Sequence, residues 1–218
     1  NTTMELPRLL LVAVGVGEYD DPQLPKLRYT CKDAKDFSDV ISSKKDRPYE
    51  EVQVKTLLDQ EATRSEIFEA MEWLKQESSP NDICVFFFSG HGVKGGFVCY
   101  DGFLTYADVA SALSACKSNN KMVFADACFS GAIRDNSGVS AKYDSWNHNI
   151  MLFLSCRSNE VSIETPTMTN GFFTYALQHG LRGGADKNKD RTITAKELFN
   201  YVSATVKKES NNRQHPVM

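Results

Sequence analysis

Two short segments carry residue types able to do nucleophilic chemistry. The apolar run ICVFFF leads into Ser89-Gly90-His91-Gly92, and a second run, KMVFAD, ends in Asp126-Ala127-Cys128-Phe129-Ser130-Gly131. An imidazole that removes the proton of a thiol leaves a thiolate able to attack a carbonyl carbon. A glycine at position 92 lets a backbone N–H approach a developing oxyanion with no side chain in the way, and the N–H of Cys128 is a second candidate donor. Each residue by itself has an ordinary reading: a histidine after a strand solvates a turn, and a cysteine at a strand end packs in the core. Together, each closing an apolar run and each followed closely by glycine, His91 and Cys128 read as a dyad. Zinc is the weaker alternative, because no Cys or His stands at short metal-ligand spacing from either residue.

The surrounding pattern supplies elements that would bring the two together. Apolar runs at 8–16, 81–88, 121–126 and 149–155, and an alternating run at 50–58, read as strands. Apolar positions at helical spacing fill 31–43, 63–76, 105–116, 170–181 and 194–208. Strand alternating with helix predicts a parallel sheet covered on both faces, with ligands at the carboxyl ends of the strands. The strands preceding His91 and Cys128 are consecutive, and consecutive strands usually lie side by side. The stretch 129–148 is rich in Ser, Gly, Asn and Asp and reads as a mobile surface loop.

Composition bounds the partners. The chain of 218 residues has a formal charge of −3 and no basic run, which argues against nucleic acid or an anionic membrane surface. Its apolar runs are far shorter than the roughly 20 residues of a membrane helix. Six cysteines without a C-x-x-C pair suit a reducing compartment, read here as cytoplasmic. Position 1 is Asn rather than Met, so the chain reads as a processed form or a domain of a longer protein.

Two other motifs resemble ligand loops. Gly15 and Gly17 in VAVGVGEYD resemble the start of a dinucleotide fingerprint, but the third glycine is missing. In DKNKDRTITAKE, Asp186, Asn188, Asp190, Thr192 and Glu197 fall on calcium-loop positions, but Arg191 stands where that loop needs glycine. Thr194 and Glu197 have a competing use as a capping box.

S-G-H-G after one apolar strand and D-x-C-x-S-G after the next resembles the metacaspases and their bacterial relatives, within the wider caspase-like cysteine peptidases. The likeness runs from VGVGEYDDPQLPKLRYTCKDA to NGFFTYALQHGLRGG and ITAKELFNYV. It implies a three-layer α-β-α sandwich with a mostly parallel central sheet in one peptidase domain. Residues 1–131 would be the large-subunit-like segment, 132–148 the linker and 149–218 the small-subunit-like segment, with a last edge strand starting in NNRQHPVM. The signature Q-A-C-[RQG]-G of true caspases is not matched, since Asp126 replaces its Gln.

The resemblance also implies an acidic pocket that accepts Arg or Lys before the cleaved bond. Asp126 and Cys128, two apart on a strand, project to one side, and a carboxylate held there calls for a cation. Ser89 precedes Gly-His, and Asp33 lies in LRYTCKDA, placed at the carboxyl end of the first strand; both carry over as pocket residues by motif. As ordinary alternatives, Asp126 is a turn or capping carboxylate and Asp33 a favourable charge at a helix start. Similar enzymes cut themselves in the linker, which makes Arg134 and Lys142 candidate self-cleavage sites. Metacaspases often depend on calcium. Asp135 matches one member of their acidic cluster, while between His91 and Cys128 only Asp101 and Asp108 remain. The chemistry itself requires no cofactor, and calcium activation is left open. The expected activity is a cysteine endopeptidase acting after Arg or Lys on protein or peptide substrates, as a monomeric domain. The alternative is a catalytically silent scaffold that binds basic peptides or partner proteins, and a nucleotide-binding module stands third.

Overall fold

The unbroken apolar run Leu9–Gly15 forms strand β1, every residue of it buried. A run without polar alternation belongs inside a sheet covered on both faces. The remaining strands are β2 (Val52–Leu58), β3 (Ile83–Gly90), β4 (Gly92–Val93), β5 (Gly96–Val98), β6 (Phe103–Thr105), β7 (Asn120–Ala127) and β8 (Ile150–Leu154). The helices are α1 (Thr30–Ser42), α2 (Arg64–Glu77), α3 (Tyr106–Ser114), α4 (Phe172–His179) and α5 (Ala195–Glu209). This computed structural model describes residues 6–44, 48–128, 149–157, 159–160 and 169–218. Arg134, Asp135, Lys142 and the linker that holds them lie outside the described residues.

Five strands pair in parallel in the order β2-β1-β3-β7-β8. Alternation along the strands divides the core in two. Leu10, Val12, Val14, Phe86 and Phe88 pack with Ile67 and Leu74 of α2 and Val109 and Leu113 of α3. Leu9, Leu11, Val85, Phe87 and Phe124 pack with Phe37 of α1, Phe173 of α4 and Val202 of α5. Phe37 stacks on Phe87 with ring centroids 4.5 Å apart. The result is the expected α-β-α sandwich with a parallel central sheet.

Local signals set the helix boundaries. Thr63 accepts the Glu66 N–H at the start of α2, and Thr194 and Glu197 form a reciprocal capping box on α5. Strand β3 runs past its apolar residues through Ser89 and Gly90, which pair with Asp126 and Ala127 of β7. The antiparallel trio β4-β5-β6 has no counterpart in the sequence reading, because strands of two or three residues are too short to show alternation. Phe97 of β5 fastens the trio, stacking on Phe88 at 4.3 Å.

The expected position of Asp33 needs refinement. It lies one turn into α1, after a long loop, rather than on the end of β1. It still reaches that rim, because the start of α1 packs against Gly15 so closely that a Cβ there would meet Thr30 O. At the far edge, Val217 makes an isolated antiparallel bridge to Leu154, with hydrogen bonds of 2.8 and 2.9 Å. All six cysteines are free thiols. Among the described residues no helix is long and apolar enough to cross a membrane.

Candidate active site

The register of β3 on β7 decides what meets at the rim. Ser89 stands opposite Asp126 and Gly90 opposite Ala127, so the next residues, His91 and Cys128, leave the sheet as neighbours. Both are partly exposed. Gly92 closes the gap: a Cβ at this position would collide with the Cys128 carbonyl oxygen, so only glycine permits the approach. The end of β7 is clasped from β8's side, where Ser155 Oγ accepts the Ala127 N–H and donates to the Ala127 carbonyl, both at 3.2 Å.

The loop between β1 and α1 holds the histidine. Its ring Nε2 lies 2.7 Å from the Pro25 carbonyl oxygen. A carbonyl only accepts, so in the neutral imidazole Nε2 carries the hydrogen and Nδ1 keeps the lone pair. The His91 N–H donates to the Tyr19 hydroxyl at 2.9 Å, and the two rings lie 5.0 Å apart.

The Gly92 amide has a defined direction. Val98 N–H donates to the His91 carbonyl at 2.9 Å. Hydrogen-bonded and non-bonded pairs alternate along antiparallel strands. The Gly92–Phe97 pair is therefore a non-bonded one, and the Gly92 N–H points away from β5.

Asp33, Ser89 and Asp126 converge below this rim, on the face covered by α1 and α4. Ser89 Oγ donates to Asp33 Oδ2 at 3.0 Å. Asp33 Oδ1 accepts Asn170 Nδ2 at 2.9 Å and the Gly171 N–H at 3.2 Å. Asp126 Oδ2 accepts the Thr174 hydroxyl at 2.9 Å and the Thr174 N–H at 3.2 Å. Gly171 sits between the two carboxylates, where a Cβ would lie 2.7 Å from Asp126 Oδ2 and 3.4 Å from Asp33 Oδ2. All three residues are buried, Asp33 and Ser89 with 1% exposure and Asp126 with 5%. Burial, and then the charge of Asp126, push the Asp33 carboxyl well above the usual carboxylate range, against hydrogen bonds from Asn170, Ser89 and Gly171.

Sequence reading missed the lid of this pair. Asn170 and Gly171 lead into α4 and Thr174 lies in its first turn, far along the chain from His91 and Cys128, and no local spacing marks them. Asn170 Nδ2 also donates to Asp36 Oδ2 at 3.0 Å, and Asp36 pairs with Lys32. Tyr19 and Pro25 were missed for the same reason. The nearby Cys31 thiol, by contrast, is no rival nucleophile, since burial and Asp59 push it up to about 12.

The 186–197 loop is shaped by its own hydrogen bonds. Asp186 Oδ2 accepts the Arg191 N–H at 3.0 Å, and Arg191 takes a positive φ of 67° despite not being glycine. Among the described residues no cluster of three or more His, Cys, Asp or Glu side chains could hold a metal ion.

The family model described as "Caspase domain" matches residues 8–218. The chain belongs to the caspase-domain family. No curated protein matches it. The solved structure of protein GSU0716 from Geobacter sulfurreducens is similar, with a TM-score of 0.73 at 19% identity over 97% of this chain and 92% of that one. At that identity the likeness shows a shared fold. The caspase domain is that of a cysteine-peptidase family, which also includes inactive members, so activity and specificity rest on the site itself.

Proposed function

We propose that this caspase domain is a cysteine endopeptidase that cleaves after Arg or Lys through a Cys128–His91 dyad. The observation that carries the proposal is a pair of buried carboxylates at one rim: Asp126, two residues before Cys128 on β7, and Asp33, held by Ser89 from the strand position opposite Asp126. Asn170, Gly171, Thr174 and Ser89, all neutral, donate to them, and the charge they can acquire suits a guanidinium or ammonium. An entering cation would exchange the Asn170 and Gly171 donors for its own.

In the proposed cycle His91 Nδ1 takes the Cys128 thiol proton, while Pro25 O holds the Nε2–H. The sulfur electron pair forms a bond to the substrate carbonyl carbon, and the carbonyl π pair moves onto oxygen. The Gly92 and Cys128 N–H groups donate to that oxyanion. As the carbonyl re-forms, the C–N bond breaks and the amine leaves with the proton from His91. A water, deprotonated by the same imidazole, attacks the thioester, and the thiolate departs to recover its proton. No step calls on a metal. Calcium activation remains a separate proposal, read by adding calcium and then a chelator to one assay. Self-cleavage at Arg134 or Lys142 belongs to the same specificity, and intact mass after incubation reads it.

One observation favours a second reading, a scaffold for basic peptides or partner proteins without turnover: Asn170, Gly171 and Thr174 occupy the buried Asp33 and Asp126 oxygens where a substrate cation would have to enter. An Arg-terminated peptidyl chloromethyl ketone separates the two. Stoichiometric alkylation of Cys128, read by peptide mass, supports the peptidase. Peptide binding with Cys128 unlabelled supports the scaffold.

A further inference from the structure

A carboxylate at the end of β2, outside the dyad and the pocket, governs the loop that grips His91. Asp59 opens a short 3-10 turn with a positive φ of 46°, a conformation an aspartate adopts at a cost. Its Oδ1 accepts two successive backbone donors, the Gly17 N–H at 2.8 Å and the Glu18 N–H at 2.9 Å. Paired N–H groups on one carboxylate oxygen fix a backbone direction, as in anion nests. Gly17 is also enclosed by the returning loop: Leu27 N–H donates to its carbonyl at 3.0 Å, and a Cβ would lie 2.6 Å from Leu27 O. The next residues deliver Tyr19, whose hydroxyl donates to Val16 O at 2.9 Å and accepts the His91 N–H at 2.9 Å. Burial pushes the Tyr19 hydroxyl upward, so it stays neutral and keeps its proton for Val16. Further along the same loop, the Pro25 carbonyl oxygen meets His91 Nε2.

Position 91 is unusual in the β4–β5 pairing. Its carbonyl accepts from Val98, but its N–H goes to a side chain, Tyr19, instead of to the partner strand. The Tyr19 hydroxyl thus sets where the backbone of His91 leaves the sheet, while Pro25 sets the tilt and tautomer of its ring.

We propose that Tyr19 and Asp59 are positioning residues for the dyad: Asp59 fixes the loop, and through Tyr19 and Pro25 the loop fixes the orientation and tautomer of His91. This rests on the reading of His91 and Cys128 as a catalytic pair.

The test uses the whole chain with Tyr19→Phe, Asp59→Ala and Asp59→Asn, the last keeping the Oδ1 acceptor. Three readouts are taken: kcat and KM on an Arg peptide, the pH profile of Cys128 alkylation by iodoacetamide, and the His91 tautomer by long-range 1H–15N correlation. Tyr19→Phe and Asp59→Ala are expected to lower kcat by about tenfold or more with KM nearly unchanged, a fraction of what general-base catalysis supplies. They also move the alkylation limb to higher pH and mix the two tautomers, and Asp59→Asn recovers most of the loss. If Asp59→Ala does not fold, Tyr19→Phe carries the test, since it keeps the ring. Folded variants with wild-type kcat, alkylation profile and tautomer overturn the inference, as does a defect confined to KM. Alkylation and tautomer need no substrate, so this inference can fail while the peptidase reading stands, and the reverse.

Discussion

Ser89 and Asp126 stand directly opposite each other across the β3–β7 pair, and the Ser89 hydroxyl donates to Asp33 Oδ2 at 3.0 Å. One register therefore sets Asp126 opposite Ser89, whose hydroxyl holds Asp33 of α1, and, two residues further on, leads into a cysteine and a histidine side by side. Ser89 and Asp126 are fixed by the two strands that also lead into His91 and Cys128, while Asp33 joins them from α1. Positions set by strands hold their geometry better than positions set by loops.

The Asp126 charge should decide substrate choice without touching the thiol chemistry. Asp126→Ala is expected to lower kcat/KM on Arg peptides on the order of a hundredfold, as loss of one buried ion partner does. The rate of Cys128 alkylation by iodoacetamide should stay near wild type. Equal losses in both assays would place Asp126 in the dyad's support instead of the pocket.

Gly171 tests the space between the carboxylates. Gly171→Ala puts a methyl 2.7 Å from Asp126 Oδ2, where a bound guanidinium would lie. Steady-state kinetics should show KM for Arg and Lys peptides rising at least about tenfold with kcat little changed, and overpacking should lower stability by about 1–3 kcal/mol. An unchanged KM would move the substrate cation elsewhere.

Thr174 should act on Asp126 through its hydroxyl. Thr174→Val removes that donor and keeps the N–H, with an expected loss of about 1–3 kcal/mol in urea denaturation and a raised KM. Thr174→Ser should restore both. Failure of the serine variant to restore them would make the threonine methyl, not the hydroxyl, the operative group.

The raised Asp33 carboxyl gives a pH signature. A cation selects the ionised form, so kcat/KM on Arg peptides should climb with pH until Asp33 is fully ionised, by up to about tenfold per unit. Stability runs the opposite way. The folded chain retains a proton that the unfolded chain releases, so stability should fall as pH rises from the usual carboxylate range to the raised value. Asp126 faces Asp33 from β7, and Lys32 and Asp36 flank it on α1, so Asp33→Asn is the control that should remove the pocket limb and keep the dyad's own.

How much of this was legible depended on sequence distance. The parallel sheet could be read because ICVFFF and KMVFAD are continuous apolar runs that fit only buried strands. His91 and Cys128 followed from the glycines and the strand ends beside them. Asp33 fell within the helix read at 31–43, but its reach to the rim was not legible, because only the packing of α1 against Gly15 brings it there. Tyr19, Pro25, Asn170, Gly171 and Thr174 lie in segments that carry the family likeness, but nothing there marked these residues, and Asp59 lies outside them. Their roles arise from contacts across the fold between residues of ordinary type, and the strands β4–β6 were too short to leave a period.

The most direct test of the whole account is turnover of fluorogenic peptides differing only in Arg, Lys or Asp before the cleaved bond, by the wild-type chain and Cys128→Ala. Hydrolysis of the Arg and Lys peptides is expected, with none of the Asp peptide and no activity in the variant. Turnover of the Asp peptide, or undiminished turnover by Cys128→Ala, would contradict it.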